Sequence, residues 1–240
     1  MYRTLQPEKI VKTLDKLHAR INQRFPGKGL ERVCSELGEV ARKSHKRALS
    51  IERPAYALRA AIGLMIAAGL GMLGYVAFML ISNTKASEDM ASTIQAVDAT
   101  FNIVILTGAT IFFLVSLEER LKRRKALRAL NELRTFVHVI DMHQLTKDPL
   151  MIDGPRTPDS PARDLTPFEL TRYLNYCSEM LSLTDKLAAL YAQSTSDAVI
   201  IDAVSDLSSL TTNLSAKIWQ KLTLIQAEHR ELERGHTALS

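Results

Sequence analysis

Cysteine is scarce in this sequence: Cys34 and Cys177 are the only two in 240 residues. They stand far apart, without the spacing of a metal site, and read as two reduced structural thiols. Tryptophan occurs once, at Trp219, where core filling or a helix–helix contact is the expected role. No Gly-rich phosphate loop, nucleophile elbow or paired-carboxylate motif is present, so no enzymatic activity and no cofactor are expected. The 59 residues that open the chain carry 14 Lys or Arg and no apolar h-region, so no signal peptide is expected there.

Charge and proline are both missing from Ala60 to Ile81, AAIGLMIAAGLGMLGYVAFMLI. Twenty-two residues at about 1.5 Å each would span a hydrocarbon core of about 30 Å. A buried soluble helix of that length would be apolar on every face, which suits a chain of this size poorly. Residues 60–81 are therefore expected to be the first transmembrane helix. A second apolar run, 101–117 (FNIVILTGATIFFLVSL), sits at the lower length limit for a span. Between them, 82–100 is a polar, weakly helical connector.

What charge there is has a pattern. The net charge is +5, made of +8 over residues 1–59, −2 over 82–100, +4 over 118–134 and −5 over 135–240. The positive surplus lies beside the apolar runs, with Arg53 and Arg59 before the first and Arg120, Lys122, Arg123, Arg124 and Lys125 after the second. By the positive-inside rule both termini face the cytoplasm and the connector lies outside, in a cytoplasmic or inner membrane. The same basic residues suit anionic lipid headgroups. Aromatic interleaving is absent from LKRRKALR, and no nucleic-acid partner is expected.

Small residues mark the first span. Ala60, Gly63, Ala67, Gly71 and Gly74 recur at spacings of three and four, a ridge along which helices can approach closely. Gly108 in the second span could receive it. Asn102, Thr107 and Thr110 are the polar exceptions there. They could hydrogen-bond between helices or line a pathway, although a threonine hydroxyl can also return to a backbone carbonyl one turn back.

Outside the apolar runs the periodicity is helical. Ile10, Val11, Leu14, Leu17, Ile21 and Phe25 share one face, and Leu30, Val33, Cys34, Leu37, Val40 and Ala41 another. Pro26-Gly27-Lys28-Gly29 separates them, so 1–59 reads as a cytosolic helical hairpin. Glu118 to Leu145 has neither Pro nor Gly, so 118–146 reads as a cytosolic continuation of the second span, with Leu121, Leu127, Leu130, Leu133, Val137 and Ile140 apolar. Four prolines mark 147–166 as a linker. Thr166-Pro167-Phe168-Glu169 is a capping box opening a C-terminal hairpin over 167–234, with 235–240 as a tail. Its second helix is expected to be capped by Ser196 and to stop at Gly235. The stripe Ile200, Val204, Leu207, Leu210, Leu214, Ile218, Leu222 and Ile225 resembles a coiled-coil seam.

His138, Asp141 and His143 lie close in sequence, but five residues separate the two histidines, which turns them to different faces, and too few ligands are present for a metal. Asp202, Asp206 and Glu228 read as a solvated face. The expected fold is all-α: an integral membrane protein with a two-helix transmembrane hairpin and a cytosolic bundle. The expected role is a membrane-anchored scaffold that self-associates or binds a cytosolic protein. The alternative is an oligomeric channel lined by the second span. Two-span cation channels with long helices outside the membrane share the outline, but their D-x-M-E loop and G-M-N signature have no counterpart in this chain.

Overall fold

The computed structural model describes residues 4–52, 56–83, 90–147 and 165–238, without the side chains of 49–52, 57–58, 76, 79–83, 90–93, 96 and 228–238. The described residues are all-helical. In chain order the helices are α1 (Pro7–Arg24), α2 (Gly29–Glu52), α3 (Tyr56–Asn83), α4 (Met90–Leu145), α5 (Pro167–Gln193) and α6 (Ala198–Ala238). They fall into two compact units: Met1–Glu52 with Lys125–Ser240, and Arg53–Arg124. Most of the expected linker over 147–166 lies outside the described residues, as do Arg53 and residues 84–89 of the connector.

The first unit is a bundle of α1, α2, the C-terminal part of α4, α5 and α6. Proline in the first turn of α1 lacks only an N–H that the helix would leave unpaired, and Glu8 sits at the positive end of the helix. The break before α2 is made at Gly27, whose φ of +67° is costly for any side chain. Arg20 on α1 pairs with Glu179 on α5, and the Leu5 N–H donates to Gln193 Oε1 at 2.9 Å, so α1 and α5 run antiparallel. The N-terminal hairpin thus packs directly on the C-terminal half of the chain. Arg47 pairs with Glu132, and Gly29 faces His143, so α2 and α4 are antiparallel too.

The centre of this bundle is α5. Its sequence stripe of Leu170, Leu174, Cys177, Leu181, Leu187 and Leu190 is buried, and so are Tyr173, Tyr176, Met180, Leu183, Thr184, Ala188 and Tyr191 on its other sides. A helix surrounded by neighbours buries more than one stripe. Its start is fixed by the capping box: the Glu169 N–H donates to Thr166 Oγ1 at 3.2 Å, and the Thr166 N–H donates to Glu169 Oε2 at 2.8 Å. These bonds hold the Glu169 carboxyl below its usual range. Replacing such a cap costs typically about 1 kcal/mol.

The faces expected on α1 and α2 are buried, with Val11 half-buried at the margin. Along α4 the buried row is Ala126, Ala129, Leu130, Leu133, Val137 and Ile140. The α6 stripe is buried against α5, apart from half-buried Leu210.

Four local readings change. Helix α4 begins at Met90, so the residues just before Phe101 belong to the same helix, which is 56 residues or about 84 Å long. Asp197, not Ser196, caps α6: its Oδ1 accepts from the Val199 N–H at 3.0 Å, while its own N–H donates to Thr195 Oγ1 at 3.1 Å. Helix α6 passes through Gly235 to Ala238. A single helical glycine costs only about 1 kcal/mol relative to alanine, too little by itself to end a helix. Trp219 is 66% exposed and fills no core.

Candidate interaction surfaces

The second unit carries the apolar helices. Among the described residues one helix is long and apolar enough to cross a membrane. It lies within Val97–Leu145, and none of its apolar window is buried. Within α3, Arg59–Tyr75 is a further, shorter apolar stretch among the described residues. Leu64, Leu70, Tyr75 and Phe78 on α3 are exposed, as are Phe101, Leu106, Phe112 and Phe113 on α4.

Where α3 meets α4, the close approach is at Gly69. A β-carbon there would stand 3.1 Å from Thr107 Cγ2 and 3.4 Å from Thr107 Oγ1. Gly69 lies off the ridge read from the sequence. The ridge glycines Gly63, Gly71 and Gly74, and Gly108 on α4, would each meet nothing within 4 Å. Ala60 and Ala67 are likewise exposed. Among the described residues the ridge is therefore open. Of the polar exceptions, Thr110 donates its hydroxyl to the Leu106 carbonyl at 2.7 Å, one turn back, and Asn102 Nδ2 lies 3.5 Å from Asp98 Oδ2.

Among the basic flanks, Arg59, Arg120, Arg124 and Lys125 are exposed, and Lys122 pairs with Glu118 at 2.8 Å. Arg123 is half-buried. In the first unit, Lys125 joins Arg47, Arg128, Ala129 and Glu132 around a cleft of about 360 Å³ between α2 and α4. Arg47 and Glu132 form an ion pair in its lining, and Ala129 is buried.

At the other end of the bundle, His143 is half-buried beside Gly29, with its Nδ1 3.1 Å from the Tyr173 hydroxyl. Burial, and then Lys147, hold its pKa below the usual value. His138 is exposed, and Asp141 accepts from Gln144 Nε2 at 2.6 Å, so the three do not converge. No group of three metal-ligating side chains occurs among the described residues. Burial pushes the Cys34 and Cys177 thiols up to about 12, which keeps both protonated and poorly nucleophilic.

Sequence reasoning missed a second basic cleft of about 430 Å³, lined by Arg20, Gln23, Arg24, Arg172 and Tyr176. Its two walls, α1 and α5, are about 150 residues apart in sequence. The only local signal was paired spacing: Arg20 with Arg24 on one helix, and Arg172 with Tyr176 on the other, each one turn apart.

In comparison with known proteins, the chain matches no family model, no curated protein and no solved structure.

Proposed function

We propose that this chain is a membrane-anchored helical scaffold that does no chemistry and works by self-association or by binding a cytosolic protein. In this reading α3 and the 101–117 part of α4 are a two-helix transmembrane hairpin. Both termini and the five-helix bundle are cytoplasmic, and the basic flanks meet anionic headgroups.

The observation that carries the proposal is the exposure of the apolar part of α4. A soluble core helix of that composition would be covered, and this stretch is not. The open ridge of Gly63, Gly71 and Gly74 supports self-association, since small residues let membrane helices approach a second copy. The Thr110 hydroxyl donates to the Leu106 carbonyl, which favours the scaffold over a pore, because that hydroxyl needs no water-filled pathway.

The test is the mass of the detergent-solubilised complex. A discrete oligomer or a stable complex with a cytosolic protein is expected, without conductance after reconstitution in liposomes. A solitary monomer that captures nothing would defeat the scaffold reading, and a unitary ion current would replace it with the pore. Cysteine introduced at Ser92 should react with an impermeant reagent from outside, while cysteine at Ser240 should not. The reverse pattern would overturn the topology.

A further inference from the structure

The cleft between α1 and α5 holds more positive charge than its architecture uses. Arg20 and Arg24 are one turn apart on α1, a like-charge spacing that weakens a helix. Arg172 faces them from α5. One carboxylate, Glu179, is paired directly into this group, through Arg20. Glu169 lies near Arg24 but accepts from the Thr166 cap.

The guanidinium groups are also held in place. Arg172 lies 5.0 Å from the centroid of the Tyr176 ring, and its Nη2 donates to the Tyr176 hydroxyl at 3.4 Å. Arg20 lies 5.8 Å from the same ring, and Arg24 lies 5.1 Å from the Phe168 ring. Tyr176 is itself buried and set edge-on to Phe25 at 6.3 Å. Packing on the buried Tyr176 ring lowers the entropy that Arg20 and Arg172 lose when they grip a ligand. In addition, Arg172 Nε is buried without a hydrogen-bond partner, a charged donor whose desolvation is uncompensated.

We propose that Arg20, Arg24 and Arg172 form a binding site for a phosphoryl group carried on a small molecule. Guanidinium forks match phosphate oxygens bidentately; Arg20 already gives Nη1 and Nη2 to Glu179, so Arg24 and Arg172 supply the forks and Arg20 adds charge beside them. The cleft volume lies within the range of small-molecule sites. The phosphate could be borne by a soluble metabolite or by a lipid headgroup. The site lies at the end of the bundle where α5 begins. Its lining of arginines, Gln23 and Tyr176 offers little apolar surface for acyl chains, which favours the soluble source.

The probe is inorganic pyrophosphate, titrated calorimetrically into the full chain in detergent, with sulfate at matched ionic strength as control. One saturable site is expected, with Arg172→Gln weakening it at least tenfold and Arg172→Lys weakening it measurably, since the charge stays and the fork is lost. Arg128→Gln, in the other cleft, should change nothing. If Arg172→Gln unfolds, the exposed Arg24→Gln takes its place, with at least threefold weakening expected. Absence of saturable binding, equal binding of sulfate, or wild-type affinity in the arginine variants would overturn the site. Competition separates the sources: displacement by glycerol 3-phosphate supports a soluble ligand. Displacement by phosphatidic acid alone overturns the soluble assignment.

Discussion

A β-carbon placed on Gly29 would stand 2.6 Å from Cε1 of His143, closer than real contacts allow. Gly29 opens α2 and His143 lies in the last turn of α4, so this contact joins the two helices through residues more than a hundred positions apart in sequence. Gly29→Ala should force the imidazole away from the Tyr173 hydroxyl. Overpacking and a lost hydrogen bond together cost about 1–2 kcal/mol. Chemical denaturation checks this. In a His143→Ala background the same glycine substitution should be neutral or stabilising, because the clash is gone and alanine is the better helix former.

The histidine also makes stability depend on pH. Burial and Lys147 depress its pKa in the folded state, so the unfolded chain binds the proton more readily. Stability from this group is complete above the ordinary histidine pKa of about 6.5. It declines as pH falls from there toward the lower folded value. The melting temperature should drop over that window, and His143→Gln should flatten the drop. An unchanged slope in the variant would mean that other groups dominate.

Cys34 and Cys177 should resist alkylation in the folded chain. Both are fully buried, and burial raises both pKa values to about 12. Thiol counting at pH 8 is expected to find neither until denaturant is added, after which both react together with unfolding of the bundle. Early release of Cys34 alone would show that α1 and α2 open separately from α5.

Two glycines on α3 should respond differently to the same change. Gly69→Leu collides with Thr107 and should lower thermal stability, by about 1–3 kcal/mol if the contact behaves as a packed core. At Gly71 a β-carbon would meet nothing within 4 Å among the described residues. The expected effect of Gly71→Leu is on assembly: the detergent-solubilised complex should become smaller. Leu73→Ile, which conserves volume, is the control for both. If Gly71→Leu leaves the complex size intact, the ridge takes no part in self-association.

The helical faces were legible because burial on one side enforces spacings of three and four, as with Leu30, Leu37 and Ala41 on α2. The Thr166–Glu169 cap was legible because its two hydrogen bonds are local. The central place of α5 was not. Tyr173, Tyr176 and Tyr191 carry hydroxyls, and their burial depends on neighbours that the stripe of leucines does not reveal. Trp219 misled in the opposite direction, since a large aromatic is usually placed inside. The arginine cleft escaped because Arg20 meets Glu179 only in the folded bundle, 159 residues along the chain. The Gly69–Thr107 approach escaped for a similar reason: one glycine among many small residues has no signature until its neighbour is placed.

The bundle is assembled from two pieces of sequence, Met1–Glu52 and Lys125–Ser240, and this sets a timetable for synthesis. The hairpin of α1 and α2 emerges first, with Leu14, Leu17, Leu30 and Leu37 ready for a core whose central helix has not been made. At about 5–20 residues per second, the ribosome needs roughly 7–30 seconds to travel from Glu52 to the end of α5. For that interval the hairpin waits with its oily face uncovered. A holding chaperone, or a neighbouring nascent chain on the same message, has that long to claim it before its own α5 arrives.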